Sequence, residues 1–231
     1  MSDLLDLQGV MLSILAYDAR DRSLGIALAS SGVAVGARCP HMAVGKAAVS
    51  SQGFTNLKVG PLALDLIQCG LTAREVLHAL RQHDRWMDFR QIAIVSTDGE
   101  VEVHTGAMNT GWAGHLTGDG VACLGNGLPD ASVLEAMNAD FAGNAQTPMA
   151  ERLLSALEAA RAVIGPEHPL VSSSLVVRSP ADTGQVDLRV DIAREPPEAG
   201  GCSVADMRRL FETYRPLIDV YERRSRTPHP A

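Results

Sequence analysis

The sequence predicts an α+β fold in which helices cover antiparallel sheets. Three pairs of short apolar runs flank turn residues and indicate β-hairpins, whose strands are antiparallel. The helical segments come two at a time between the strands, which argues against a doubly wound parallel sheet. With 231 residues, 46% of them hydrophobic and 20% charged, the chain can form a sizeable core. We interpret residues 1–231 as one domain, with 1–10 as an N-terminal extension and 226–231 as a flexible tail.

The first hairpin and the two helices after it are indicated in the N-terminal half. The runs MLSILAYD and LGIALASSG are separated by ARDRS, and HMAVGKAAVSSQG is interpreted as a third strand. Pro61 opens a segment of helical periodicity that Gly70 ends. Thr72 and Glu75 have the spacing of a capping box and predict the start of a second helix.

In the C-terminal half the predicted order is hairpin, strand, two helices, hairpin and a last helix. QIAIVSTDGEVEVHTG predicts a hairpin, because the pair Asp98-Gly99 suits a type I′ turn, and GVACLGN predicts a further strand. Asp130 can cap the next helix, and MAERLLSALEAARAVI has one apolar face. SSSLVVRS and QVDLRVDI predict the last hairpin. A final amphipathic helix is expected to kink at Pro216.

Charge and apolar patterning exclude several classes of function. The net charge is −7, and no basic run occurs outside the last dozen residues, which disfavours nucleic-acid binding. No apolar run approaches the roughly 18 residues of a membrane helix, and the first residues lack the features of a signal peptide. We therefore expect a cytoplasmic protein with no membrane or nucleic-acid partner. The four cysteines form no CxxC pair and are expected to be buried thiols, and no metal or cofactor is expected.

The segment Val103–Gly127 is unusual because it is polar, rich in glycine and nearly uncharged. It contains seven glycines and one formal charge, Asp119. Two interpretations remain open. The glycines could let backbone amides approach a ligand beside an apolar wall formed by Trp112, or the segment could be a hairpin extension packed on its own tryptophan. Its two histidines, His104 and His115, have no third metal ligand in the pattern and are expected to form hydrogen bonds in a pocket wall.

Standard catalytic motifs are missing from the sequence, and one lysine has an ambiguous position. No GxSxG, HExxH, Walker loop or complete GxGxxG is present. Lys46 interrupts the apolar run AVGKAAV, where a lysine either extends to solvent from an edge strand or meets a partner in a site.

Several segments together resemble the DUF1028 family, a bacterial and archaeal family of uncharacterised proteins. In order they cover about residues 12 to 192. The resemblance implies the Ntn-hydrolase-like fold, with two antiparallel sheets between two helical layers. Proteins of that wider superfamily cleave amide bonds with a Ser, Thr or Cys at the first residue of the first strand, whose free α-amine serves as the base. The segments are LSILAYDARDRSLGIALASSGVAVG, AVSSQGFTN with GPLALDLIQCGLTAREVL, HTGAMNTGWAGHLTGDG, LGNGL and VDLRV.

The chain departs from the family pattern at two positions. Members of the family commonly open the first strand with Thr-Phe-Ser, where this chain has Met11, Leu12 and Ser13. Asn109 stands where the resemblance implies a cysteine. Because methionine has no nucleophilic group, Ser13 is the remaining candidate nucleophile, and we expect no self-cleavage in front of it.

Two functions follow from the resemblance. The first is hydrolysis of an amide bond in a small amide or peptide-like substrate, with Ser13, Ser30 and Lys46 as catalytic candidates. The second is a scaffold without a nucleophile that acts as a small-molecule binding or regulatory protein. In either case we expect a twofold homodimer or a higher homo-oligomer. The substrate-binding candidates are Gln52, Asn56, His104, Thr105, Trp112 and Asn126, and Gln52, His104 and Asn126 are expected to converge on one cavity because neutral polar groups in apolar strands need partners.

Overall fold

A computed structural model describes residues 9–180 and 185–227, so most of the predicted N-terminal extension and of the C-terminal tail lies outside the described residues. The first of two antiparallel sheets has six strands in the order β10-β9-β2-β1-β8-β7. The hairpins predicted at the two ends of the chain both lie in this sheet. Its strands are β1 (Met11–Asp18), β2 (Ser23–Ser30), β7 (Trp112–Gly118), β8 (Val121–Leu128), β9 (Ser172–Arg178) and β10 (Val186–Val190).

The second antiparallel sheet has four strands in the order β3-β4-β5-β6 and stacks face to face on the first. Alternation along each strand sends every second side chain into the space between the sheets. Leu15, Leu28, Ala48 and Val95 belong to this inner core. The strands are β3 (Pro40–Ala43), β4 (Ala47–Gly53), β5 (Arg90–Ser96) and β6 (Val101–Thr105).

Helices cover the outer face of each sheet, which gives four layers. The helices α1 (Val59–Gln68) and α2 (Ala73–His83) pack on the four-stranded sheet. The six-stranded sheet is covered by α3 (Ser132–Gly143), α4 (Met149–Ile164) and α5 (Ser203–Tyr214). The mixed α+β class is therefore confirmed, and so are the hairpins on which the prediction rested.

The local signals for helix ends are also confirmed in most cases. The side chain of Thr72 accepts a hydrogen bond from the amide of Glu75, whose carboxylate accepts from the amide of Thr72, as a capping box requires. Asp130 is not the N-cap residue of α3, which is Ala131, but it lies one residue earlier and accepts from the amide of Ser132, the first residue of the helix. A 3-10 turn around Pro216 separates α5 from α6 (Ile218–Arg226), as the expected kink required.

Three details of the strand prediction are wrong. The run HMAVGKAAVSSQG contains two strands, because Gly45 adopts a φ of +69° and turns the chain between β3 and β4. The turn at Asp98-Gly99 is not type I′, since only Gly99 has a positive φ, and the amide of Ser96 donates to the carbonyl of Glu100 across a three-residue loop. The glycine-rich segment contains an additional edge strand, β7, that was not predicted.

None of the helices in residues 9–180 and 185–227 is long and apolar enough to cross a membrane.

Candidate functional site

The candidate site consists of two rows of side chains that face each other between the sheets. In the six-stranded sheet, Met11 is paired with Ser30 on one side and with Asn126 on the other. In the four-stranded sheet, Gln91 is paired with Gln52 and with Thr105. Polar residues thus meet across the inner core at the end of the sandwich where β1 begins.

Gln91 is the centre of a buried amide cluster. Its Oε1 accepts from Nε2 of Gln52 at 2.7 Å and from Nδ2 of Asn126 at 3.0 Å. Its Nε2 donates to the carbonyl oxygens of Gly114 and Gly125, both at 2.9 Å. Gln52 and Gln91 have no exposed surface, so the cluster joins the sheets in an environment without water, where hydrogen bonds are strong and unpaired groups are costly.

Ser13 and Ser50 complete the cluster on its inner side. The hydroxyl of Ser13 donates to Oε1 of Gln52 at 2.6 Å, and the hydroxyl of Ser50 donates to the same oxygen at 3.2 Å. Both serines are fully buried. No lysine, histidine or carboxylate of the described part of the chain forms a hydrogen bond with Ser13, whose partner is a neutral amide oxygen without useful basicity.

A second branch of the cluster leads to the surface. The hydroxyl of Thr105 lies 3.0 Å from Nε2 of Gln91, whose two protons are shared among three acceptors, and 2.9 Å from Nδ1 of His115. Either Thr105 or His115 can donate in their contact, according to the tautomer of the ring. Burial, with a smaller effect from His104, lowers the pKa of His115, so the neutral ring is favoured.

The chain before Met11 continues the strand at this end. The carbonyl of Val10 accepts hydrogen bonds from the amide and the hydroxyl of Ser31. Gly127 has a φ of +65°, and a Cβ at that position would lie 2.8 Å from the carbonyl oxygen of Gly9. Val10 is therefore hydrogen-bonded to the segment after β2, and Gly9 lies close to Gly127 at the end of β8.

The structure brings together four of the predicted site residues and places a fifth beside them. Ser13, Gln52, Thr105 and Asn126 belong to the cluster. Ser30 is paired with Met11 at its edge, where its hydroxyl accepts from the amide of Gly32 at 3.0 Å.

The expected convergence of His104 with Gln52 and Asn126 is wrong. His104 is paired with Ile92, whose side chain packs against the helical layer, so the ring of His104 lies on the outer face of the sheet. There its Nε2 lies 2.8 Å from the carbonyl oxygen of Met87. Adjacent strand residues point to opposite faces, so His104 and Thr105 cannot both enter the inner core.

Lys46, Asn56 and Trp112 also lie away from the cluster. Lys46 is exposed in the turn before β4, about 20 Å along the strand from Gln52 at 3.3 Å per residue. Nδ2 of Asn56 donates to Asp84 at 3.1 Å, and its Oδ1 accepts from the amide of Lys58. Trp112 packs against the core on the helical side of the six-stranded sheet. Because Lys46 is exposed and distant from the cluster, its interpretation as a site residue is not supported.

Gln91 and Ser50 were not among the predicted site residues, although the sequence carries a signal for Gln91. It opens the apolar run QIAIVS, as Gln52 ends the run AAVSSQG, and a buried amide in such a run needs a partner. Ser50 gives no comparable signal, because serine is common in strands and turns alike.

The glycines of Val103–Gly127 allow close backbone contacts. A Cβ on Gly106 would lie 2.2 Å from the carbonyl oxygen of Asp88, and one on Gly111 would lie 2.9 Å from Cα of Gly127. The segment therefore connects β6 of one sheet with β7 of the other through backbone packing. Among residues 9–180 and 185–227, no group of three or more His, Cys, Asp or Glu side chains could hold a metal ion.

Comparisons with known proteins agree with this architecture. A protein-family sequence model described as "Family of unknown function (DUF1028)" matches residues 12–199. The crystal structure of protein SPO2555 from Silicibacter pomeroyi, also assigned to DUF1028, is similar with a TM-score of 0.79 and 26% sequence identity, and the alignment covers 89% of each chain. No curated protein matches the chain.

Proposed function

This chain belongs to the DUF1028 family, and we propose that it binds a small molecule on an Ntn-hydrolase-like scaffold without cleaving an amide bond. The observation that carries the proposal is the state of Ser13. This residue is fully buried, and its hydroxyl donates to the amide oxygen of Gln52. An alcohol becomes a useful nucleophile only beside a base and within reach of the substrate, and Ser13 has neither.

The surroundings of Ser13 support the same conclusion. An Ntn-type reaction uses a free α-amine at the nucleophile, and to expose one at Ser13 the chain would have to be cut inside the paired strand β1, next to Val10, whose carbonyl accepts from Ser31. Lys46, the other candidate base, is exposed in a distant turn.

The proposal is tested by combining intact-mass spectrometry with a binding screen on the full chain. We expect an uncut chain, no release of amine from a panel of small amides, and thermal stabilisation by at least one small metabolite. A ligand that binds only the native state raises its stability by mass action, so the shift grows with ligand concentration. Amide hydrolysis that disappears in Ser13→Ala would overturn the proposal in favour of the hydrolase.

A further inference from the structure

A cavity of about 580 Å³ lies at the opposite end of the sandwich, where β1 ends. Three hairpin turns and the connection between α3 and α4 form its walls, and they bring together side chains from both sheets. Its volume falls within the range of small-molecule sites. Its distance from Met11 is about 23 Å, from seven steps of 3.3 Å along β1. Its lining includes Tyr17, Asp18, Arg20, Asp98, Asp119 and Arg152.

The inner end of this cavity holds a chain of three charged side chains. Arg152 is 9% exposed, lies 3.9 Å from the ring centre of Phe141, and donates to Oδ2 of Asp18 at 3.3 Å. The carboxylate of Asp18 accepts from Nε of Arg20 at 2.9 Å and also from its Nη2. The carboxylate of Asp18 thus faces two guanidinium groups, and Asp21 lies close enough to interact electrostatically with both arginines.

Arg20 is held in a fixed orientation by these contacts but still has donors available. Its Nε and Nη2 edge is occupied by Asp18, while the edge formed by Nη1 and Nη2 has only a long contact of 3.4 Å from Nη1 to Gln146 among the described residues. Half of the Arg20 side chain is exposed. An arginine held in this way presents two parallel N–H groups, which match a carboxylate in geometry and charge.

Two aspartates from other turns line the same cavity. Asp98 lies in the β5–β6 turn and Asp119 in the β7–β8 turn, and both side chains are exposed. Oδ1 of Asp98 accepts from the hydroxyl of Ser96 and from the amide of Glu100, which leaves Oδ2 available. Negative charge on these turns therefore accompanies positive charge at Arg20, so the cavity offers a complementary partner to each end of a ligand with charges of both signs.

From this arrangement we propose that the cavity binds a zwitterionic ligand of the amino-acid type, with its carboxylate on the Nη1 and Nη2 edge of Arg20 and its ammonium group between Asp98 and Asp119. Arg152 acts as a positioning residue through Asp18 and does not contact the ligand. Tyr17 and Ala145 supply apolar surface for a side chain. This inference rests on the proposed binding function and names its site and ligand class.

The test is calorimetric titration of the full chain with three probes, namely leucine, N-acetyl-leucine and leucinamide. The second probe lacks the ammonium group and the third lacks the carboxylate, so each removes one half of the recognition. We expect leucine to bind at least about tenfold more tightly than either derivative, which corresponds to the loss of one charge-assisted hydrogen bond.

Two variants assign the contacts. Arg20→Gln should weaken leucine and N-acetyl-leucine but not leucinamide, and Asp119→Asn should weaken leucine and leucinamide but not N-acetyl-leucine. Arg224→Gln and Asp65→Asn, which change exposed charges outside the cavity, serve as matched controls. Asp119 lies in an exposed turn, so its variant remains informative if Arg20→Gln does not fold.

The outcomes separate this inference from the proposed function. Equal affinity for all three probes, no binding at millimolar concentration, or binding that ignores both variants would overturn the zwitterion site. If another metabolite still stabilises the chain in that case, the binding function survives without this site. Amide hydrolysis that depends on Ser13 would overturn the proposed binding function, whether or not leucine binds to the chain.

Discussion

The hydroxyl of Ser13 donates to Oε1 of Gln52 at 2.6 Å, across the interface between the two sheets. Ser13, the candidate nucleophile, therefore serves as a hydrogen-bond donor that joins the two sheets. Its proton is directed to a neutral amide, and its oxygen has no route to solvent because the side chain is fully buried.

The recombinant chain is expected not to process itself. Cleavage in front of Ser13 would need its hydroxyl to turn away from Gln52 and attack the carbonyl of Leu12, which lies in a paired strand. It would also remove Leu12 from the core, where burial of a leucine contributes about 1.5–3 kcal/mol. Intact-mass spectrometry should give a main species that still contains Met11. A species beginning at Ser13 would show that the hydroxyl can reach that carbonyl.

Replacing Gln91 should destabilise the protein strongly. In Gln91→Leu, the amides of Gln52 and Asn126 and the carbonyls of Gly114 and Gly125 lose their partner without access to water. Unpaired buried groups cost about 1–3 kcal/mol each, so we expect the free energy of unfolding to fall by about 3 kcal/mol or more. Urea unfolding measures the change.

A matched control for that experiment is Gln68→Leu, which makes the same substitution at an exposed position at the end of α1. Its effect should stay within about 0.5 kcal/mol. Similar losses in the two variants would mean that the amide cluster does not stabilise the contact between the sheets.

Alanine at Gly127 should cost more than alanine at Gly70. Both glycines have a positive φ, +65° and +98°, which is unfavourable for an L-residue by about 1–2 kcal/mol. A Cβ on Gly70 meets nothing within 4 Å, whereas one on Gly127 would press on the carbonyl of Gly9. The difference between the two losses of stability, measured by thermal unfolding, reports how firmly Gly9 is held. Equal losses would indicate that this part of the chain moves aside freely.

The stability should fall at mildly acidic pH because of His41. Burial lowers the pKa of His41 below its ordinary value of 6.5, although a hydrogen bond from the ring to the backbone of Arg38 opposes the shift. The unfolded chain then binds the proton more readily than the native one, so the contribution of the neutral ring is fully present above about pH 6.5 and is lost as the pH falls below it. Unfolding at pH 7 and pH 5 should show less pH dependence in His41→Gln than in the original chain.

The exposed histidine His78 provides the comparison for that effect. His78→Gln should leave the pH dependence unchanged. If both variants behave alike, the acid sensitivity arises elsewhere in the chain.

A homodimer formed through the last two helices remains a prediction. After Pro216, large apolar side chains of the last helical segments lie on the surface. Leu217 is 37% exposed and Tyr221 is 47% exposed. Exposed apolar groups in a row are typical of contact surfaces. Light scattering should give twice the monomer mass, and Tyr221→Glu should reduce it to the monomer, while Leu57→Glu in the exposed turn before α1 should not. A monomer at micromolar concentration in the original chain would contradict the prediction.

Periodicity predicted the hairpins and most helix boundaries, because strand alternation and capping are local properties of a sequence. The amide cluster was partly predictable for the same reason, since Gln52 and Asn126 stand in apolar strands. His104 was placed wrongly because the sequence does not show which face of β6 enters the space between the sheets, and it is the neighbouring Thr105 that does so. Lys46 was placed in a strand because the sequence is apolar on both sides of Gly45, so the left-handed turn at that residue could not be recognised from the hydrophobic pattern. Gln91 could be recognised as the centre only once strand pairing was known.

The two facing rows also determine how the sheets are aligned with each other. Aliphatic side chains alone would tolerate a slide of one sheet along the other, since one leucine contact can replace another. A slide by one pair of residues, roughly 6.6 Å along a strand, would separate Gln91 from Asn126 and Gln52 from Ser13. Their polar groups would then lie in the apolar core without hydrogen-bond partners. The cluster therefore favours one alignment of the two sheets. Other alignments could bury a similar apolar area, but each would leave several buried polar groups unpaired and would be less stable.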